Sequence, residues 1–439
     1  MNHNDTFKSF FDDIHMRDIT EYEEDLGGVI KKLNQHYYDI SDEESNRLIA
    51  GSVGRGTAVD GCSDLDVIFK MPSEEFSRYD SREGNGQSSL LQDIKNILKE
   101  KYPKTDIKGD GQAVVISFTN KPYTIDLVPG FEQSDGSFKY PDTHNDGSWK
   151  ITKPIEEQDA CKIADSFTNN NFTRVCNALR VWKDNVGFCF GGLLIDTLVD
   201  NYRDELELEN VTFSDYYTVL QDVFSKLKSE DPNQSYWLAL GSNQQVKNSG
   251  NGAFVRKAKK AFNKLDKAAT DLEKEEALIE LLGKRFEDCV VDSVSEEQEA
   301  RWASLHGSVN SEEFIEDKYP VEIRYSLKID CTVTQDGWRP QRLLKMLADG
   351  IFLRRDKGLD FEIVDCAVPK PYEVFWKVRN VGEIAHIKNQ IRGQIKSYSN
   401  KSTHHESTCF SGPHFVECYI VKDGKCVARD RIDVPIKAD

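Results

Sequence analysis

The spacing of apolar positions between residues 19 and 128 changes from a helical period to alternation and back, which predicts a mixed α/β unit. Apolar side chains recur at helical spacing from Ile19 to Tyr38 and from Gln92 to Tyr102, where Pro103 ends the pattern. Strand signals lie at Arg47 to Ala50, LDVIF, Gln112 to Phe118 and Tyr123 to Val128. We therefore predict a core lobe over residues 1–155 that contains a long N-terminal helix.

Two further units follow from the same pattern. Helical periodicity from Glu156 to Phe286 predicts a helical lobe at 156–290, interrupted by a loop from Gly241 to Gly252. Alternating apolar segments bounded by Gly, Asp and Pro predict a separate β-rich domain at 310–439, and its start is placed near 291–299. The Asp-, Ser-, Gly- and Asn-rich stretch from Gln133 to Ser148 is predicted to be a loop.

The charge of the chain limits its partners. With 57 Lys and Arg against 75 Asp and Glu, the net charge of −18 opposes a long, non-specific grip on a nucleic-acid backbone. The basic residues from Arg256 to Lys264 could face a polynucleotide, but a solvated helix face explains them more simply. No nucleic-acid activator is indicated.

The sequence indicates neither a membrane span nor a secreted protein. The longest apolar stretch, Val186 to Ile195, is far shorter than the roughly 20 residues that cross a bilayer. The N-terminus lacks the basic start and the apolar run of a signal peptide, and the ten cysteines show no paired spacing. We expect a cytoplasmic protein whose cysteines are mostly reduced core residues.

Three aspartates carry the strongest chemical signal. Asp64 and Asp66 flank Leu65 at the start of a predicted strand, so the period of two places both carboxylates on one face. Asp126 lies between apolar neighbours in YTIDLV, an expensive place for a charge unless a cation or a donor meets it. Three carboxylates on adjacent strands suit two Mg²⁺ or Mn²⁺ ions better than zinc.

A Gly-rich turn precedes these aspartates. Gly51, Ser52 and Gly54 permit a tight turn whose backbone N–H groups, with the Ser52 hydroxyl, could grip phosphate oxygens. A lone Asp-x-Asp after such a turn is usually a solvated strand end, because Asp and Gly are favoured turn residues. The turn, the aspartate pair and the third aspartate together favour a metal-dependent catalytic site.

The segment GSVGRGTAVDGCSDLDVIF resembles the signature of polymerase-β-type nucleotidyltransferases. Its extended form, with the later TIDLVP and SWKITKP, is similar to the CD-NTases of the SMODS group, which make cyclic di- or trinucleotide second messengers. The resemblance implies a polymerase-β-like α/β core with a mixed sheet and a helical second lobe. It also implies that Asp64 and Asp66 bind both metal ions, that Asp126 binds the catalytic one, and that Gly51 and Ser52 hold the triphosphate.

Further nucleotide-binding candidates are Arg55, Thr57, Arg180 and Lys183. Arg55 and Thr57 belong to the family signature, although Arg55 has an equal alternative as a surface cation paired with Asp60 or Asp64. Arg180 stands where the family usually has Lys, and its guanidinium can still fork two phosphate oxygens. The family's Lys-Ser pair appears here as Gly191 and Gly192, so two ordinary nucleotide contacts are missing.

The segments PYEVFWKVRNVGEIAHIKNQIRGQI and FSGPHFVECYIVKDG resemble the adenylyl/guanylyl and SMODS C-terminal sensor domain. The candidate pocket residues in this part of the chain are Trp376, Arg379, Asn380, Arg392, His386 and His414. Trp and His between strand residues are more often core or turn groups, which is the stronger alternative. His404, His405, Cys409 and His414 match no closed zinc pattern.

From this resemblance we expect an enzyme that joins nucleoside triphosphates, ATP, GTP or others, into a short and cyclic oligonucleotide. A downstream effector would read the product in antiviral signalling. The same chemistry could instead make a linear oligonucleotide or transfer a nucleotide to a protein or RNA. A non-catalytic nucleotide-sensing protein is the alternative of another class, and the missing Lys-Ser pair is its best support.

Overall fold

The computed structural model describes residues 3–16, 18–119, 121–292, 312–335, 339–380, 385, 390–397 and 402–437. Most of the predicted start of the third unit, near 291–299, lies outside the described residues, and so does His386. No helix in the described parts of the chain is long and apolar enough to span a membrane.

The first lobe is built on a mixed sheet with the strand order β1-β2-β5-β4-β3, and β6 and β7 extend it from β5. Its strands are β1 (Arg47–Ile49), β2 (Asp64–Lys70), β3 (Asp106–Asp110), β4 (Ala113–Ser117), β5 (Thr124–Glu132), β6 (Phe138–Asp142) and β7 (Ser148–Thr152). The helices of this part of the chain are α1 (His3–Ile14), α2 (Thr20–Tyr37), α3 (Gly51–Gly54), α4 (Phe76–Asp80) and α5 (Gly86–Lys101). β2 and β5 run parallel, whereas β1, β3 and β4 pair with their neighbours antiparallel.

The core of this lobe lies between the sheet and two helices. The helix α2 buries Tyr22, Leu26, Ile30 and Leu33 at the spacing of one helical face, as the sequence predicts. These side chains pack with α5 and with the apolar positions of β2, β4 and β5 in one hydrophobic cluster. The polar positions of β2 and β5 are thereby left on the opposite face of the sheet.

The predicted loop from Gln133 to Ser148 is wrong in part, because Phe138–Asp142 is the strand β6 and Ser148 begins β7. The two strands pair from Phe138 opposite Thr152 to Asp142 opposite Ser148. The turn between them has positive φ at Asn145, Asp146 and Gly147, which are residue types that tolerate this conformation. The polar composition therefore marks a hairpin turn and not a long loop.

The second lobe is helical, as predicted. Its helices are α6 (Pro154–Thr168), α7 (Asn171–Val186), α8 (Gly192–Tyr202), α9 (Tyr216–Leu227), α10 (Ala253–Lys267), α11 (Asp271–Leu282) and α12 (Lys284–Asp292). Two short strands, β8 (Tyr236–Leu238) and β9 (Gln245–Lys247), pair with each other, so the predicted loop from Gly241 to Gly252 contains a strand. Trp182 is fully buried in the hydrophobic cluster of this lobe.

The helix α1 packs in the second lobe, although its sequence falls within the predicted core lobe at 1–155. Phe7, Phe10 and Phe11 are buried in the same cluster as Trp182. The ring of Phe10 meets that of Phe286 edge-on at a centroid distance of 5.2 Å. The N-terminal helix therefore joins α12 to the rest of the helical lobe.

The C-terminal domain contains two antiparallel sheets, with the orders β11-β10-β12-β15 and β14-β13-β16-β17. Its elements are β10 (Leu327–Thr334), β11 (Gln341–Arg342), α13 (Leu343–Ala348), β12 (Gly358–Cys366), β13 (Glu373–Arg379), β14 (Arg392–Ser397), β15 (Thr403–Ser407), β16 (Gly412–Lys422) and β17 (Lys425–Ile436). Apolar side chains of both sheets meet in one cluster around Trp376. The predicted β-rich C-terminal part and the mixed α/β class are confirmed.

Replacing Phe10 with Ala should destabilise the helical lobe by about 3–5 kcal/mol, because a fully buried ring is removed from its core. The matched control is Lys8→Ala on the same helix, where an exposed side chain pairs with Asp12 and contributes under about 1 kcal/mol. Urea denaturation followed by circular dichroism measures both. Equal stability of the two variants would contradict the placement of α1.

Candidate active site

The parallel pairing of β2 with β5 brings the three predicted aspartates together. Asp66 lies directly opposite Asp126, and Asp64 lies opposite Thr124. Because side chains alternate along each strand, the neighbours Leu65 and Ile125 point into the core and the carboxylates point away from it. The strand register thus places Asp64, Asp66 and Asp126 on one face of two adjacent strands.

The aspartates perturb one another because they share a poorly solvated face. Burial and the charge of Asp64 raise the pKa of Asp66, and burial with the charges of Asp64 and Asp66 raises the pKa of Asp126 to about 6. The Thr124 hydroxyl lies 2.9 Å from Asp64 Oδ1 and 3.2 Å from Asp126 Oδ1. The charges of Asp66 and Asp126 are thus disfavoured unless cations approach them.

Asp64 differs from its two neighbours because residues of the C-terminal domain contact it. Burial would raise its pKa, but a hydrogen bond with Glu322 and the charges of Lys425 and Arg324 hold the pKa of Asp64 below its usual value. Glu322 is the counterpart of this effect, since burial and the charge of Asp64 raise its pKa to about 7. Among the described residues, no three carboxylate, His or Cys side chains are arranged to hold a metal ion in this conformation.

The turn before β2 is fitted closely against Asp66. Gly51 has φ +60°, and a Cβ added there would lie 1.9 Å from Asp66 Oδ2. The backbone N–H of Ala50 donates to the carbonyl of Asp66 at 2.8 Å, which holds the turn beside the strand. Glycine at position 51 therefore lets the backbone approach the carboxylate face.

Arg55, Thr57 and Arg180 converge on one buried carboxylate, that of Asp196. Arg55 Nε lies 2.9 Å from Oδ2, Arg180 Nη2 lies 2.7 Å from Oδ1, and the Thr57 hydroxyl donates to Oδ2 at 3.0 Å. Against the effect of burial, the two guanidinium groups lower the pKa of Asp196. Neither Asp60 nor Asp64 is the partner of Arg55, so that alternative is wrong.

Sequence reasoning did not name Asp196 as a site residue. Its partner Arg55 is 141 residues away in the chain, so no local spacing connects them. The available signal is the position of Asp196 inside the apolar run GGLLIDTLV, where a charge is expensive unless it is paired. A buried cation should have been expected for it.

Gly191 and Gly192 lie at the start of α8, where Gly192 leaves space for Arg180. Arg180 Nη2 donates to the Gly192 carbonyl at 3.1 Å, and a Cβ added at Gly192 would lie 3.3 Å from that nitrogen. Lys183 Nζ lies 2.5 Å from the Asp184 carboxylate. Arg55, Thr57 and Arg180 thus contact the Asp196 carboxylate, and Lys183 pairs with the adjacent Asp184.

Several of these groups line a cavity of about 1000 Å³ that residues of both lobes enclose. Its walls include Gly51, Ser52, Arg55, Asp64, Asp66, Arg180, Lys183, Gly191, Gly192 and residues 316–324. The triphosphate-binding candidates Gly51 and Ser52 therefore share one cavity with the aspartate pair. The side closed by residues 316–324 comes from the chain leading into the C-terminal domain.

Inside the C-terminal domain, the described candidate residues contact other side chains or the backbone. Trp376 is buried and stacks on His404, and Arg379 pairs with Glu312 at 2.9 Å. The Arg392 guanidinium pairs with Glu406 at 2.6 Å. Asn380 donates to the Gln390 carbonyl, and His414 contacts the Phe410 carbonyl at 3.1 Å. These groups hold strands and turns together, as the alternative interpretation states.

Residues 1–164 match the family described as the Second Messenger Oligonucleotide or Dinucleotide Synthetase (SMODS) domain. Residues 309–437 match the Adenylyl/Guanylyl and SMODS C-terminal sensor domain. No curated protein matches the sequence.

Solved structures with a similar fold are CD-NTases. A structure of CdnC from Escherichia coli MS115-1 with ATP is 19% identical, with a TM-score of 0.50, and the match covers 65% of this chain and 99% of that one. The same CdnC in a HORMA-deltaN complex is 18% identical, with a TM-score of 0.49 and coverage of 64% and 98%. At 19% identity the likeness to the first of these structures shows the fold alone, and it agrees with the expected mixed α/β core followed by a helical lobe.

Replacing Asp196 with Asn should destabilise the protein by about 3–5 kcal/mol, because two guanidinium groups lose the charge that compensates their burial. Asp204→Asn is the control, since Asp204 is 91% exposed beside Arg203 and should change stability by less than about 1 kcal/mol. Thermal unfolding of both variants measures the difference. Similar melting temperatures would show that Asp196 does not hold the two lobes together.

Proposed function

We propose that this chain is a CD-NTase that joins nucleoside triphosphates into a short cyclic oligonucleotide, because residues 1–164 match the SMODS synthetase domain and residues 309–437 match the associated C-terminal sensor domain. The observation that carries the proposal is the shared face of Asp64, Asp66 and Asp126 on β2 and β5, together with the cavity that Asp64 and Asp66 share with the Gly51 turn. The product would act as a second messenger for a downstream effector in antiviral signalling.

The aspartates would carry out the chemistry. Asp64, Asp66 and Asp126 offer oxygen ligands that suit Mg²⁺ or Mn²⁺, and these ions would supply charge neutralisation for the triphosphate and acidify the attacking hydroxyl. A ribose 3′-oxygen attacks the α-phosphorus, its bond to the β-phosphate bridge breaks, and pyrophosphate leaves. Asp126 would assist by accepting the hydroxyl proton.

The remaining candidates divide into two roles. Gly51 and Ser52 line the cavity next to Asp66 and would hold the β- and γ-phosphates. Arg55, Thr57 and Arg180 are engaged by Asp196, so we assign them the positioning of the turn and of the second lobe. Lys183 lines the cavity and is the cation we assign to phosphate contact.

Replacing both Asp64 and Asp66 with Ala should reduce synthesis about a thousandfold or more, because the ligand pair is lost. The purified proteins are incubated with labelled triphosphates and Mg²⁺ or Mn²⁺, and products are identified by mass spectrometry. The control Asp106→Ala removes a carboxylate from the edge strand β3 of the same sheet and should leave the rate unchanged.

The product distinguishes the alternatives. A product that resists phosphatase has no free phosphate end and, with the mass of a closed ring, supports cyclic synthesis. A linear product, or label attached to protein or RNA, would favour the other transfer reactions. Nucleotide binding without any product, from the wild type or from any variant of the C-terminal domain, would favour a non-catalytic sensor.

Replacing Gly51 with Ala should lower the rate about a hundredfold or more, because the added Cβ collides with the Asp66 carboxylate and φ is positive. The control is Gly136→Ala in the turn between β5 and β6, where φ is +81° and nothing lies within 4 Å of the added Cβ. Both variants carry the strain of a positive φ, so steady-state rates separate strain from collision. Equal rates would contradict the role assigned to this turn.

A further inference from the structure

Two cations of the C-terminal domain lie on the carboxylate of Asp64. Arg324 Nη2 donates to Oδ2, and Lys425 Nζ donates to Oδ1. Lys425 Nζ also lies 2.8 Å from the Ser63 carbonyl and 3.2 Å from the Thr124 hydroxyl, which is itself within reach of Asp126. Both oxygens of Asp64 are therefore engaged by positive charge from another part of the chain.

The C-terminal domain holds these cations as one unit. Lys425 is the first residue of β17, and its side chain is 10% exposed. The backbone N–H of Arg324 donates to the Val427 carbonyl at 3.0 Å, and that of Glu322 donates to the Cys426 carbonyl at 2.9 Å. The segment with Arg324 is thus hydrogen-bonded along β17 beside Lys425, so both cations approach or leave Asp64 together.

Residues 316–324, which we call the strap, contact both lobes of the synthetase. In the first lobe, the Ser63 hydroxyl donates to Glu322 of the strap. In the second lobe, Lys284 pairs with Asp317 of the strap at 2.7 Å. The Ile323 N–H donates to Asp184 at 3.0 Å, next to the cavity cation Lys183. The strap therefore lies across the cavity from the aspartates to the helical lobe.

This arrangement is incompatible with the state that the proposed function requires. Asp64 must offer at least one oxygen to a divalent cation, and two fixed positive charges at that carboxylate repel such an ion. The docked domain and a metal ion on Asp64 therefore exclude each other. Docking of the C-terminal domain and metal binding at Asp64 are thus coupled, and each weakens the other by the same free energy.

Resting on the proposed function, we propose that the C-terminal domain inhibits the synthetase by placing Arg324 and Lys425 on Asp64, in competition with its divalent cation. Activation is then the withdrawal of the strap and the start of β17 from the cavity. A signal that binds the undocked C-terminal domain more tightly than the docked one raises the affinity of Asp64 for the metal ion. Binding of the metal ion and triphosphate in turn favours the undocked state.

The test measures metal affinity in the full chain, so it does not depend on turnover. Arg324→Ala, Lys425→Ala and the double variant are titrated with Mn²⁺ and followed by the electron paramagnetic resonance of the free ion. Each variant should bind Mn²⁺ more tightly than the wild type, by about 5- to 150-fold for a typical allosteric coupling. Lys328→Ala removes an exposed cation of β10 in the same domain and should change nothing.

A second measurement needs no substitution at the contact. Hydrogen exchange of residues 316–324 and 425–427 in the wild-type protein should accelerate when Mn²⁺ is added, because the ion displaces the docked segments. The same addition should have no effect in the Asp64→Ala, Asp66→Ala variant, where the ion has lost its ligands. Circular dichroism of every variant verifies folding, and the exchange result stands even where Lys425→Ala fails to fold.

The outcomes separate this inference from the proposed function. Unchanged or weaker Mn²⁺ binding in Arg324→Ala, or exchange that Mn²⁺ does not accelerate, overturns the inhibition by the C-terminal domain whether or not product is made. Tighter binding with metal-dependent exchange but no oligonucleotide from any variant supports the competition and refutes the synthetase. Tighter binding with a matching rise in synthesis supports both.

Discussion

The structure depends on the cost of holding three carboxylates together on the poorly solvated face of β2 and β5. Burial and mutual repulsion raise the pKa of Asp66 and Asp126, so the face demands positive charge. Two sources of that charge are compatible with the chain: divalent cations, which the carboxylate oxygens suit, and the side chains of Arg324 and Lys425, which contact Asp64. Because one carboxylate cannot serve both, the electrostatics of this face is the physical basis of the proposed inhibition by the C-terminal domain.

A second buried charge organises the lobes around this face. Asp196 binds Arg55 from the turn before β2 and Arg180 from α7, so a single carboxylate connects the first lobe to the second. This pairing gives a physical reason for the glycine at 192. Arg180 donates to the Gly192 carbonyl, and a side chain at 192 would press on the guanidinium. The departure from the family's Lys-Ser pair is thus accommodated by contacts inside the lobe.

Much of the fold could be predicted because the relevant information is local. The one-sided burial of α2 and the alternation of LDVIF follow from the periods of helix and strand. The hairpin of β6 and β7 was missed because its polar turn residues dominate the composition of a short segment. The position of α1 was missed because its amphipathic pattern says that one face is buried but not which core receives it.

The sequence by itself determined that Asp64 and Asp66 share a face, that Asp126 is an expensive charge within a strand, and that a turn able to approach phosphate precedes them. These conclusions need only the two-residue period of a strand and the conformational freedom of glycine. Tertiary structure decided which cations meet the carboxylates. Arg324 and Lys425 are 260 and 361 residues from Asp64, and Asp196 is 141 from Arg55. Such pairings follow from how whole units dock, which local spacing does not encode.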